Sequence, residues 1–191
     1  HERLVGSEMC IRDRYTNTIG LIVPHISHPF FIKVISNLES SAAEKGFKLL
    51  LCNSKEQPEK EQDYLDMCIS NRVAGIVLCS KYVQTREFRK MNIPVVNLER
   101  GGDDDTISVQ CDNYQGGKLA AEHLIECGCQ HIVCLRGPMK FSSGQQRYQG
   151  YEDVCRKYGR KAVWIDCDYD YDAGLAAAEE LIRRYPDTDG I

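Results

Sequence analysis

The chain repeats its own pattern, and that repeat limits the folds open to it more than any other feature. The run Ile19-Gly20-Leu21-Ile22-Val23 returns as Ile132-Val133-Cys134-Leu135, and both runs lead into a proline-bearing turn, at Pro24 and at Gly137-Pro138. Gly46 lies 27 residues after the start of the first run, and Gly159 lies the same 27 after the start of the second (19 to 46, 132 to 159). Ala74-Gly75-Ile76 then has its counterpart in Asp189-Gly190-Ile191. Self-similarity at a fixed offset reports a duplicated structural unit, so two similar lobes are expected. Residues 17–130 are assigned to the first lobe, incomplete, and 131–191 to the start of the second, which breaks off at Ile191.

Within the first copy, short apolar runs alternate with longer amphipathic ones, the pattern of βαβ units that build a parallel sheet with helices on its faces. The strands are read at Ile19–Val23, Lys48–Cys52, Gly75–Cys79, Val95–Leu98 and Ser108–Cys111, each a near-continuous apolar run of the kind covered on both sides. Pro29 stands where a first helical turn tolerates it and Gly46 stops that helix, while Pro58 opens a second helix ending near Asn71. These two helices carry apolar residues beyond one core stripe, namely Ile32 and Ile35, then Leu65, Met67 and Ile69.

Composition closes several alternatives. A formal net charge of -4 is a poor match to phosphate, which needs clustered Lys and Arg, so a nucleic-acid surface on this piece is not expected. No run reaches the length of about 18 apolar residues that a membrane span needs. The start, His1 to Arg14, has no apolar signal-peptide core, which points to the cytoplasm. Ten cysteines would suggest a disulfide framework in a small secreted chain, but Cys52, Cys68, Cys79, Cys111 and Cys134 lie inside apolar runs and read as small buried hydrophobes. Cys127-Gly128-Cys129 has the wrong spacing for a zinc ribbon, His25 and His28 lack a third partner, and Asp168, Asp170 and Asp172 lack the Gly and Glu of a calcium loop, so no metal is expected. Neither a nucleophile elbow nor a phosphate-cradling glycine loop is present, and the chain reads as a non-enzyme without a cofactor.

Open parallel sheets bind ligands beyond the carboxyl ends of their strands. After the first strand that rule selects Phe30 and Phe31, and after the repeat strand the loop leading to Ser142, Ser143 and Arg147. Asp112 follows the fifth strand, and Tyr169 lies in the aspartate-rich loop. Rings, hydroxyls, a carboxylate and a guanidinium together suit a polyhydroxylated ligand. Each residue also has a plainer reading: Phe31 as core, Arg147 as a solvated charge, Ser142 and Ser143 as helix caps.

The ordered set Ile19-Gly20-Leu21-Ile22-Val23-Pro24 with Pro29-Phe30-Phe31, Leu51-Cys52-Asn53-Ser54, Arg72-Val73-Ala74-Gly75-Ile76, Ile93-Pro94-Val95-Val96, Asp112-Asn113-Tyr114-Gln115-Gly116-Gly117 and Gly137-Pro138 with Arg147-Tyr148-Gln149-Gly150-Tyr151 resembles the effector domain of LacI/GalR transcription regulators over about Asn17 to Ile191. The resemblance implies two Rossmann-like lobes of the periplasmic-binding-protein type with a sugar effector in the cleft between them, a homodimer, and operator DNA read by a helix-turn-helix head that is absent from this chain. It implies a ring-stacking role for Phe30 and Phe31, a ligand clamp for Arg147, a hydroxyl contact for Ser143, an aromatic wall for Tyr169, and a place beside the cleft for Asp112. Glu99 departs from the Asp usual in relatives, and Phe141 stands where purine-binding members carry a basic residue. Residues 1–16 match nothing in the family and are set aside as a tail. A periplasmic sugar-binding protein of a transporter shares the fold and is the alternative, disfavoured by the cysteine content and the missing signal peptide.

Overall fold

The structure is a computed structural model that describes residues 16–79, 93–99 and 107–191; the tail assigned from the sequence lies almost wholly outside them. The contacts divide the chain into two units, the first ending at Val109 and the second running from Gln110 to Ile191.

In the first unit β1 (Thr16–Val23), β2 (Lys48–Asn53), β3 (Val73–Leu78), β4 (Val95–Leu98) and β5 (Ile107–Val109) form one parallel sheet in the order β2-β1-β3-β4-β5. The order in which strands are added reverses between β1 and β3, with β2 on one side of β1 and β3 to β5 on the other, which makes their carboxyl ends the place where loops splay apart. Helix α1 (Pro29–Glu44) follows β1 and α2 (Pro58–Ser70) follows β2. Side chains alternate along β1: Ile22 packs with Cys52, Leu65, Cys68, Val73 and Ile76, whereas Leu21 and Val23 pack with Phe31 and Cys79 on the other face. Both faces are therefore apolar, as the continuous runs required.

The second unit starts with α3 (Asn113–Glu126), followed by β6 (Cys134–Arg136), α4 (Ser142–Lys157), β7 (Trp164–Asp166) and α5 (Tyr171–Arg184). Ala121, Ile132, Tyr148, Tyr151, Val154 and Cys155 pack on one side, and Val133, Ile165, Ala177 and Leu181 on the other. The duplication is carried through to the register. Leu21 pairs with Leu51 and Cys134 with Trp164, a spacing of 30 in both copies (21 to 51, 134 to 164). Ile19 pairs with Gly75 in the first unit, and Ile132 bridges Gly190 in the second.

By contacts the first unit ends at Val109, where the sequence reading draws the lobes at 130, and α3 lies along α4 at backbone contact: a Cβ on Gly117 would overlap the carbonyl of Arg147, and one on Gly150 the carbonyl of Tyr114. Three sequence expectations are corrected. Leu65 is fully buried and Met67 and Ile69 pack against the same cluster, so α2 spends these residues on its own core, while Ile32 of α1 stays exposed. Cys111 is exposed and Cys134 half-buried, while Cys155, which the sequence reading passed over, is buried. The fifth strand runs over Ile107–Val109 rather than Ser108–Cys111 and leaves Cys111 outside the sheet.

Candidate functional site

At the carboxyl end of β1 the chain turns into α1, whose N-cap is His28: the ring Nδ1 accepts a hydrogen bond from the backbone N–H of Phe30 at 3.2 Å. A cap of this kind satisfies one of the donors that every helix start leaves open. It also fixes two rings. Phe31 turns inward and is 7% exposed; Phe30 stays out at 38% and meets Phe31 edge-on, centroids 5.1 Å apart. Of the two readings held for Phe31, core packing is the one the structure shows, and Phe30 carries the accessible ring face of the pair.

The other predicted residues belong to the second unit. Asp112 is the N-cap of α3, its Oδ1 accepting from Gln115 N at 2.9 Å. Asn113 beside it is buried, donates from Nδ2 to the Cys111 carbonyl at 3.1 Å, and accepts at Oδ1 from Arg147 Nε at 2.8 Å. Arg147 itself is exposed, in the second turn of α4. Among the described residues the Asn113 bond is its one hydrogen bond, which leaves both terminal nitrogens of the guanidinium open. The N-cap of α4 is Phe141, which makes no side-chain cap bond, so the capping reading of Ser142 and Ser143 is set aside: both sit inside the first turn, and Ser143 is 8% exposed.

Tyr169 lies after β7 with its hydroxyl over the turn that starts α4. A Cβ on Gly137 would overlap that ring, and one on Gly144 would stand 3.4 Å from its hydroxyl oxygen. Glycine at 137 is what lets the aromatic ring lie on the backbone. Ser143, Arg147, Asn113 and Tyr169 are thus gathered around the carboxyl edge of the second unit.

The sequence reading missed the group that ties this edge together. Arg136 ends β6 and Asp166 ends β7; Nε–Oδ1 is 2.6 Å and the second guanidinium nitrogen reaches Oδ2 at 3.0 Å. The same guanidinium lies 4.9 Å from the Tyr148 ring centroid and 4.7 Å from that of Trp164. The Asp166 bond holds the Arg136 pKa above its ordinary value. Forked pairing plus ring contact is a strong form of the ion pair, because planarity matches both partners. A spacing of 30 residues hid it: nothing local marks Arg136 and Asp166 as partners. A cavity of about 340 Å³ adjoins the pair, lined by Arg136, Pro138, Met139, Asp166, Cys167 and Asp168. A cavity of about 430 Å³ lies at the amino ends of β6 and β7, near His131, Arg160 and Tyr185; the smaller one lies at the carboxyl ends, where parallel sheets bind ligands, and Ser143, Arg147 and Tyr169 line neither.

Residues 16–191 match the family described as periplasmic binding proteins and sugar binding domain of LacI family. The chain belongs to that family. Its relatives include the ribose operon repressor of Halalkalibacterium halodurans, 34% identical over 173 residues that cover 91% of this chain and 52% of the repressor. A repressor named PurR from Actinobacillus pleuropneumoniae serotype 5b is 33% identical and covers 88% of this chain and 52% of its own length. The chain spans about half the length of the curated relatives it matches. Among solved structures, a periplasmic binding protein/LacI transcriptional regulator from Alkaliphilus metalliredigens, complexed with D-xylulofuranose, superposes with a TM-score of 0.79 at 35% identity, covering 88% of this chain and 65% of that one. The LacI-family fold expected from the residues is therefore shown, and these relatives are repressors rather than enzymes. Among the described residues of this LacI-family chain no helix is long and apolar enough to cross a membrane.

Proposed function

We propose that this chain is the effector-sensing part of a longer cytoplasmic LacI-type regulator, and that a sugar is held by Arg147, Ser143 and Tyr169 at the carboxyl edge of the second unit; Phe30, backed by Phe31, offers a ring for stacking at the carboxyl edge of the first unit. Asp112 shapes the edge as the cap of α3 rather than through its own carboxylate. The full regulator pairs as a homodimer and reads operator DNA through a helix-turn-helix head outside this chain. One observation carries the reading: among the described residues Arg147 is fixed through Nε alone, with its terminal nitrogens open. A guanidinium has five N–H donors in a rigid fork, so four remain to span adjacent hydroxyls. The xylulofuranose complex of the relative supports the sugar class, and the buried Phe141 leaves no basic group at the position that purine-binding members use.

Replacing Arg147 by Met keeps bulk and removes the donors. Charged hydrogen bonds contribute about 1.5 to 3 kcal/mol, so the intact regulator carrying Arg147→Met should bind D-ribose or D-xylulose about one to two decades more weakly in a calorimetric titration. Operator binding should persist without responding to sugar. Equal sugar affinities in parent and variant would remove Arg147, and with it this placement of the site.

A further inference from the structure

We propose that Asn113 is a positioning residue for the effector site: it aims the Arg147 guanidinium without neutralising it. The proposal rests on the reading of Arg147 as a sugar contact, and its own support is geometric. Asn113 is 4% exposed and is the first residue of α3. Its Nδ2 donates to the Cys111 carbonyl at 3.1 Å, which leaves Oδ1 turned to Arg147 Nε at 2.8 Å. The Cys111 bond thus fixes which end of the amide faces Arg147.

The helix crossing makes this contact possible. Gly117 lies four residues after Asn113, on the same face of α3, and its missing Cβ is what lets the Arg147 backbone approach. Gly150, three residues after Arg147, does the same for Tyr114 from the α4 side. With the two backbones held this close, the short Asn113 side chain reaches Nε across the crossing. A longer partner is not needed, and the donor it occupies is the one that points back along the side chain rather than outward.

The residue type is specific. An aspartate at 113 would hold Nε and also cancel the charge, weakening every hydrogen bond that the terminal nitrogens could offer a ligand, and it has no N–H for the Cys111 carbonyl. Asparagine supplies a neutral acceptor. The guanidinium keeps its charge, loses rotamer freedom before the ligand arrives, and so binds at a lower ordering cost.

The test is a double-mutant cycle in the intact regulator with D-ribose and D-xylulose as probes, using Asn113→Ala, Arg147→Met and the pair, with melting curves to check folding; Asn113→Ser, too short to reach Nε, replaces the alanine variant if that one melts early. Each single change should weaken sugar binding about tenfold or more, and the pair should be no weaker than Arg147→Met alone within about twofold, because Asn113 acts only through the guanidinium. A ligand-free readout accompanies it: the Arg147 Nε–H should exchange slowly with solvent in the parent and rapidly once Asn113 is replaced. Additive losses, or an Asn113 variant with parental affinity while Arg147→Met is impaired, overturn the proposal. Arg147→Met with parental affinity, or failure of the regulator to bind either sugar, instead removes the underlying reading and this one with it; a rapidly exchanging Nε–H in the parent overturns the Asn113 role by itself.

Discussion

Cys134 sits on β6 with its thiol pushed up from an ordinary value of 9.0 to about 11, chiefly by burial, against the pull of the neighbouring Arg136. Burial acts in the same direction on Cys155 and on the Tyr151 hydroxyl, which bridges the Ile132 and Val163 carbonyls. In each case the folded chain keeps a proton that the unfolded chain releases first. Between about pH 9 and 11 the native state therefore binds more protons, and stability falls as pH rises through that window. Melting temperature should decline from pH 9 upward, and Cys134→Val, close in volume and without a proton to lose, should flatten part of the decline; an unchanged slope would show that Cys134 does not contribute. At this scale the sequence singled out residues but could not give their burial or their partners. Phe30 and Phe31 read alike until the helix capped by His28 places one outward and the other in the core. Arg147 was legible from its place in the motif, whereas its hold on Asn113 spans 34 residues and depends on a helix crossing that no local pattern encodes.

The matched glycines show what was legible among the elements. Gly46 has φ +77° and Gly159 φ +65°, and neither would place a Cβ within 4 Å of anything. Their requirement is purely conformational, since an L side chain is strained at positive φ. Gly46→Ala and Gly159→Ala should each cost about 1 kcal/mol, alike within error, as measured by urea unfolding. A much larger loss at one position would mean that the two turns are not equivalents. Strand and helix order followed from apolar periodicity because the central runs of the first sheet, β1 and β3, are covered on both faces. Membership of α3 did not, because an amphipathic stripe tells that a helix is covered and not by what; the deciding glycines, Gly117 and Gly150, work through a backbone contact rather than through any pattern of hydrophobicity. The same limit made Leu65, Met67 and Ile69 look spare when they fill the core beneath α2.

For the chain as a whole, a net charge of -4 disfavours a polyanion, most strongly at low salt where the charges are least screened. We expect no binding of duplex DNA by this chain in fluorescence anisotropy at physiological salt, and submicromolar, salt-sensitive binding would contradict the assignment of operator reading to a separate head. The shared register of the two units also bears on how the polypeptide reaches its native state. Two copies of one strand-pairing pattern in a single molecule offer each strand a second berth, and during folding such chains face the hazard of swapping partners. Here the central strands are not interchangeable. Gly20 and Val133 occupy matching places, counted one residue after Ile19 and Ile132, and even a bare Cβ at Gly20 would stand 2.6 Å from the Cys68 sulfur. The isopropyl group of Val133 would collide with the thiol of Cys68 in that berth, so Cys68 acts as a gatekeeper that disfavours the second copy's strand in the first sheet.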